Sequence, residues 1–437
     1  MLDEIREAAR RAGEERALRS LLLDCKRLLS QRGEANSVAI AGKLIERFGA
    51  LPEAERSLFF ERLSHDFSPD PQQVLRSAQA YAQQPTADNL IALTQAAEPP
   101  RQELLRRINR APGGTASIIA MRRALLARVH ARPEWRALEA DFLHLLSSWF
   151  NPGFLQMQQV DWRSPAQLLE QLIRHEAVHE IDGWNDLRRR LEPDRRCFAF
   201  FHPQLPDEPL IFVEVALLPE MPSAIAPLID KASTPLPPEQ FKVAAFYSIS
   251  NCQPGLKGVS LGNFLIKRVA EQLQRELPRL KTFCTLSPIP GFAAWLNAKP
   301  DFAALPAPRR GGPERLAAAH ALLQSAYGAD LSALAMTGAA LNEEAPELKR
   351  EALLRLGAAY LVQRSTLPQG DPVARFHLDN GARLERLNLG GDLSRKGAKQ
   401  SFGMMVNYLY DLDKIETHHE QFTLGVVAHS RKVASLL

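Results

Sequence analysis

The chain has 437 residues, more than one ordinary domain holds, and its 45% hydrophobic against 24% charged residues is the balance of a soluble globular protein. Lys and Arg number 54 against 50 Asp and Glu, a formal charge of +4 without a basic stripe, which excludes a nucleic-acid binder yet suits an anionic ligand. No apolar run approaches the roughly 18 residues that a bilayer span requires, so no membrane partner is expected.

The first residues, MLDEIREAARRAGEERALRS, are charged and helix-forming and contain no apolar stretch of the kind that a secretory signal needs. Leu21, Leu22, Cys25, Leu28 and Leu29 then recur at helical spacing, as do Ile40, Leu44, Ile45 and Phe48. Similar stripes follow at Ala87–Ala97, Leu104–Ile108 and Trp135–Phe150, separated by SPDPQQ and APGG. Short loops between amphipathic helices predict an all-helical antiparallel bundle over residues 1–152. The character changes after Asn151–Phe154. Two helical segments lead into strand-like runs at Cys197–His202, Pro209–Leu217 and Val243–Ser250, then a helix at Leu261–Leu277 and a strand at Lys281–Leu286. Helical stretches at Pro313–Leu323 and Glu347–Gln363 precede mixed segments after Pro372. Residues 153–437 are therefore read as a mixed α/β domain, the fold class is α+β, and the chemistry is expected in this second domain.

Four segments carry chemistry. In FYSISNCQPGLKGVSLGNFLIKR a strand runs into a glycine-bearing turn and then a helix, a cradle for a pyrophosphate at the positive helix end. Lys257, Gly258, Val259, Ser260, Leu261, Gly262 and Asn263 resemble the phosphate loop of GNAT-type acetyltransferases, with Lys257 and Ser260 departing from that pattern. In CTLSPIPGF two prolines and a glycine stiffen a turn, which fixes Ser287 at a strand's C-terminal end or merely lets it start the turn. His377 sits between Phe376 and Leu378, a position where a lone histidine is usually structural. Tyr408 and Tyr410 follow a glycine-rich basic loop; the plainer reading there is a helix with one buried tyrosine.

Taken in order, HPQLPDEPL, QPGLKGVSLGNFLIKR, LSPIPGF, ARFHLDNGA and NYLYDL resemble the malonyl-CoA decarboxylase family over nearly the whole chain. The resemblance implies a GNAT-like catalytic domain that converts malonyl-CoA to acetyl-CoA and carbon dioxide in fatty acid metabolism. It places the CoA loop on Lys257–Asn263, the active-site serine on Ser287, the proton-donating histidine on His377 and a site-lining tyrosine on Tyr410. It also implies a homotetramer, a dimer of dimers. Relatives carry an acidic residue where Ser260 stands. The thioester is itself the electron sink, so no cofactor and no metal are expected. A GNAT-type acyltransferase using the same loop is the alternative, and a non-catalytic CoA sensor a third reading.

His175-Glu176-Ala177-Val178-His179 satisfies the HExxH pattern of zinc peptidases, which on a helix would set both imidazoles on one face. A charged helix face is the preferred reading, because five-residue matches to two residue types arise by chance, Gly183 breaks the helix soon after and no obvious third ligand follows. Cys25, Cys197, Cys252 and Cys284 form no CxxC and are expected to be buried thiols in a cytoplasmic chain; the terminal ASLL is not a peroxisomal SKL.

Overall fold

The computed structural model describes residues 2–30, 35–259, 261, 265–306, 311–331, 333–334 and 346–437, with only the backbone for 2–14. It divides into two compact units: residues 1–156 with 201–210 and 252–261, and residues 157–200, 211–251 and 262–437.

The first unit is helical through residue 149 because its apolar residues recur at one-turn intervals. Helix Ser37–Ala50 buries Ile40, Ala41, Leu44 and Phe48, while Ile45 is only half-buried. Helix Leu2–Leu29 buries Leu21, Cys25 and Leu28. Asp70 caps helix Pro71–Gln83 and Thr86 caps helix Ala87–Ala97, each accepting an N–H of its first turn. That pair of helices is hardly buried: Ser77 is the single buried residue of the first and the second has none among its described residues.

The second half of the chain builds a mixed sheet of eight strands: β1 (Gln156–Val160), β2 (Arg195–Phe201), β3 (Ile211–Leu218), β4 (Val243–Asn251), β5 (Thr282–Thr285), β6 (Ser287–Pro288), β7 (Arg383–Asn388) and β8 (Met405–Tyr410). Their order is β1-β2-β3-β4-β5-β8-β6, with β7 also on β8. β2, β3 and β4 run antiparallel, and near-continuous apolar runs such as FVEVAL mark them as buried on both faces. β4 and β5 are parallel, joined through helix Leu265–Glu276, so the all-helical region is followed by a mixed α/β layer, the expected α+β class.

One feature of this sheet makes room for a site. β4 and β5 pair only from Val243↔Thr282 to Phe246↔Thr285, and the last bond runs from Leu286 N to Phe246 O (3.1 Å). Beyond it β4 continues to Asn251 while the other chain turns into β6, which pairs with β8 instead. The β3–β4 register also slips between Glu214 and Val215, a bulge that falls at Tyr247. The NYLY part of NYLYDL is thus strand, not helix, and both tyrosines are buried. All four cysteines are buried, as expected.

Candidate active site

Where β4 and β6 part, a cavity of about 330 Å³ opens, lined among others by Phe246, Tyr247, Ser248, Ser287, Phe376 and His377. Ser287 is on β6, with Thr285 two residues earlier on the same face. Its hydroxyl donates to Thr285 Oγ1 at 2.9 Å and lies 3.0 Å from His377 Nε2. It does not cap the turn that follows, so the turn-starting reading of Ser287 falls away. His377 is buried on the short helix Pro372–Asp379, capped by Asp371 and started by a proline. Its other ring nitrogen is 2.9 Å from the Tyr410 hydroxyl, and its ring stacks on Tyr408 with centroids 4.7 Å apart.

These contacts fix the direction of the chain of hydrogen bonds. Because Ser287 gives its hydrogen to Thr285, its oxygen accepts from His377 Nε2–H, and His377 Nδ1 then accepts from Tyr410 O–H. Burial, with no carboxylate to oppose it, pushes His377 down to about 3, so the imidazole is neutral near pH 7. Burial raises the Tyr410 and Tyr408 phenols well above their usual value. The relay is neutral throughout. It offers a chain of transferable protons beside a mostly apolar cavity.

The structure brings Ser287, His377 and Tyr410 together. Lys257, Gly258, Val259 and Leu261 belong to the first unit, while Ser260, Gly262 and Asn263 lie outside the described residues. Gly258 has φ +82°, a conformation that L side chains rarely adopt, so the glycine is required there. The buried Arg122 guanidinium holds this loop, donating to Gly255 O and Lys257 O at 2.7 Å each while paired with Glu139 at 2.6 Å.

Sequence reasoning left out Thr285 and gave Tyr408 no role beside the histidine. The strand period would have found both, since T-L-S and Y-L-Y each set two polar side chains on one face. It also missed Asp371. The HExxH segment is not helical: helix Ala166–His175 ends at His175, and Glu176 adopts an extended backbone as its cap. The Glu176 carboxylate accepts from Ser248 Oγ (2.7 Å), Ser250 Oγ (3.0 Å) and the amides of Val178 (2.9 Å) and His179 (2.7 Å), so it is not a free base. The charged-helix-face reading also fails, since Glu176 is off the helix and buried. A larger cavity, about 750 Å³, lies in the first unit, but its Arg128 pairs with Glu53 and its Arg56 donates to Gly49 O, and it holds no comparable relay.

Two family descriptions match: the malonyl-CoA decarboxylase C-terminal domain over residues 153–437 and the malonyl-CoA decarboxylase N-terminal domain over residues 67–150. The mitochondrial malonyl-CoA decarboxylase of Mus musculus is 33% identical over 408 residues, covering 88% of this chain and 82% of that protein. The corresponding protein of Anser anser anser is 36% identical over 325 residues, 72% of this chain and 64% of its own length. Among solved structures, malonyl-CoA decarboxylase from Rhodopseudomonas palustris superposes with TM-score 0.85 at 46% identity, covering 96% of this chain and 99% of that one. The one from Agrobacterium vitis gives 0.80 at 46% identity, covering 95% and 99%.

Proposed function

The chain belongs to the malonyl-CoA decarboxylase family, and we propose that the cavity between β4 and β6 is where it converts malonyl-CoA to acetyl-CoA and carbon dioxide, with His377 as proton donor. The observation that carries this reading is the Ser287–His377 contact at 3.0 Å on the wall of that cavity.

Decarboxylation leaves the bonding pair shared between C2 and the thioester oxygen, and a catalyst must orient the departing carboxylate and then protonate C2. The Ser287 hydroxyl, now bonded to Thr285, turns its hydrogen to the malonyl carboxylate and holds it out of the thioester plane. The apolar wall of Phe246 and Phe376 favours a transition state whose charge is more dispersed than the carboxylate's. Carbon dioxide leaves, and the enolate carbon takes the Nε2 proton of the neutral His377. Tyr410 O–H follows onto Nδ1, and the tyrosinate regains its proton from solvent. A neutral donor suffices because an enolate carbon is a far stronger base than either imidazolate or phenolate. The net change is one proton consumed and one carbon dioxide released.

Lys257–Asn263 takes the CoA pyrophosphate in this reading; the left-handed Gly258 and the Arg122 clamp on the loop's carbonyls support it. Assembly into a homotetramer, a dimer of dimers, is supported by the unburied helix Ala87–Ala97, which leaves Leu90 and Ile91 exposed. Cytoplasmic residence and a place in fatty acid metabolism belong to the same proposal; no helix among the described residues is long and apolar enough to cross a membrane.

Incubation with malonyl-CoA, with and without an amine acceptor, tests the activity. Acetyl-CoA and carbon dioxide should appear at the same rate in both. Malonyl transfer to the amine, or binding without turnover, would contradict it.

A further inference from the structure

The two segments that carry Ser287 and His377 are far apart in sequence, and they meet at two points. One is the Ser287–His377 contact itself. The other is Asp371, a carboxylate only 1% exposed. Its Oδ1 accepts from Val373 N (3.0 Å) and Ala374 N (3.1 Å), the cap of the His377 helix. Its Oδ2 accepts from Gly291 N at 3.1 Å, four residues beyond Ser287, and the Tyr360 phenol also donates to this carboxylate. Gly291 has to be a glycine for this, since an added Cβ would sit 2.3 Å from the Tyr360 oxygen.

We propose that Asp371 is a positioning residue for the decarboxylation, a tether that locks the His377 helix to the Ser287 turn so that the two side chains stay within hydrogen-bond distance. The inference rests on the reading of Ser287 and His377 as the reacting pair. Two features explain why a tether is needed. β6 is a two-residue strand, so the sheet holds Ser287 weakly. The His377 helix has only eight residues, and His377 lies five residues beyond Pro372, roughly 7.5 Å along the axis at 1.5 Å per residue. A tilt of about ten degrees at the helix start would move the ring by roughly 1.3 Å, and misplacement on the 1 Å scale can cost a reaction about a hundredfold. Asp371 does this by geometry rather than charge, because the depression of His377 comes from burial alone.

Asp371→Asn separates the tether from the cap. Asparagine caps a helix as well as aspartate does. With its oxygen kept on Val373 and Ala374, however, its amide NH₂ faces the Gly291 N–H, donor against donor. The lost acceptor lowers Tm, but kcat per folded molecule for malonyl-CoA should also fall, about tenfold to a hundredfold, while acetyl-CoA affinity stays close to the parent's. A structural role alone would lower Tm and leave kcat per folded molecule unchanged. The decisive comparison repeats the substitution in a Ser287→Ala background. There it should cost less than twofold, because the pair that it aligns is already broken. A kcat within twofold of the parent, or a loss equally large in the Ser287→Ala background, overturns the tether. If Ser287→Ala alone turns over normally, the fault lies with the reading of the site and not with Asp371. Should Asp371→Asn fail to fold, Tyr360→Phe removes one donor from the same carboxylate and serves with the same two outcomes, at a several-fold loss in kcat.

Discussion

Two buried polar groups border the β4–β6 cavity, and they are built on opposite principles. On one wall Thr285, Ser287, His377 and Tyr410 form a neutral relay whose members each keep a proton to move. Behind the other wall Glu176, Glu214, Asp186 and Arg190 form a charged cluster. Arg190 bridges Asp186 (2.9 Å) and Glu214 (3.0 Å), and Glu176 is saturated by two serines and two amides. Burial pushes Glu214 up to about 8 against the pull of Arg190. A histidine with a strongly depressed pKa accompanies each, His377 at about 3 in the relay and His179, whose amide donates to Glu176, at about 4. A shifted pKa therefore does not distinguish a catalytic group from a structural one. The distinction lies in what holds the polar atoms that open on the cavity. The charged wall presents Ser248, bound to the Glu176 carboxylate, whereas the neutral wall presents Ser287 and His377, bound only to neutral partners.

The comparison can be broken most severely at the histidine. His377→Asn keeps the approximate shape but removes the proton donor, so kcat should fall by about 10²–10⁴-fold in steady-state decarboxylation. In the parent, His377 stays neutral from pH 5 to 8, so kcat/KM should have no histidine inflection near 6.5. A normal kcat in the variant would remove His377 from the mechanism.

Ser287→Ala should lower kcat/KM for malonyl-CoA by more than tenfold while acetyl-CoA, which has no carboxylate, binds as before by calorimetry. A protein that melts lower but turns over normally would make this serine structural. Tyr410→Phe takes one hydrogen bond and the following proton from the imidazole, and kcat should fall several-fold, the scale of about 1 kcal/mol. No change would place Tyr410 outside the relay.

The charged wall should answer in the opposite sense. Glu176→Ala leaves two serines and two amides without their acceptor, at a cost of about 2 kcal/mol or more. Tm should drop, yet kcat per folded molecule should hold within about twofold. A thousandfold loss of activity at unchanged Tm would return Glu176 to the chemistry.

Much of this was legible before the fold. Helical stripes such as Leu21, Cys25 and Leu28, and the apolar runs of β3 and β4, are short-range periodicities that report burial directly. LSPIPGF marked Ser287 because a stiff turn is a local feature. The strand at Met405–Tyr410 was harder, because a glycine-rich basic loop precedes it and five of its six residues are apolar or aromatic whichever face they take. Asp371 was not legible at all. Its cap on Pro372–Asp379 is a local pattern, but its bond to Gly291 joins residues 80 apart, and no spacing encodes that. Glu176 failed in the other direction. HExxH fits five residues without knowing that the helix stops at the first of them.

The central claim is that Ser287 and His377 act as one unit on the malonyl group. Single-turnover decarboxylation by the parent, Ser287→Ala, His377→Asn and the double variant tests it most directly. Groups that share one step are non-additive, so the double variant should be much less impaired than the product of the two single losses. Losses that multiply across the pair would contradict the account, because the 3.0 Å contact would then join two residues that work independently.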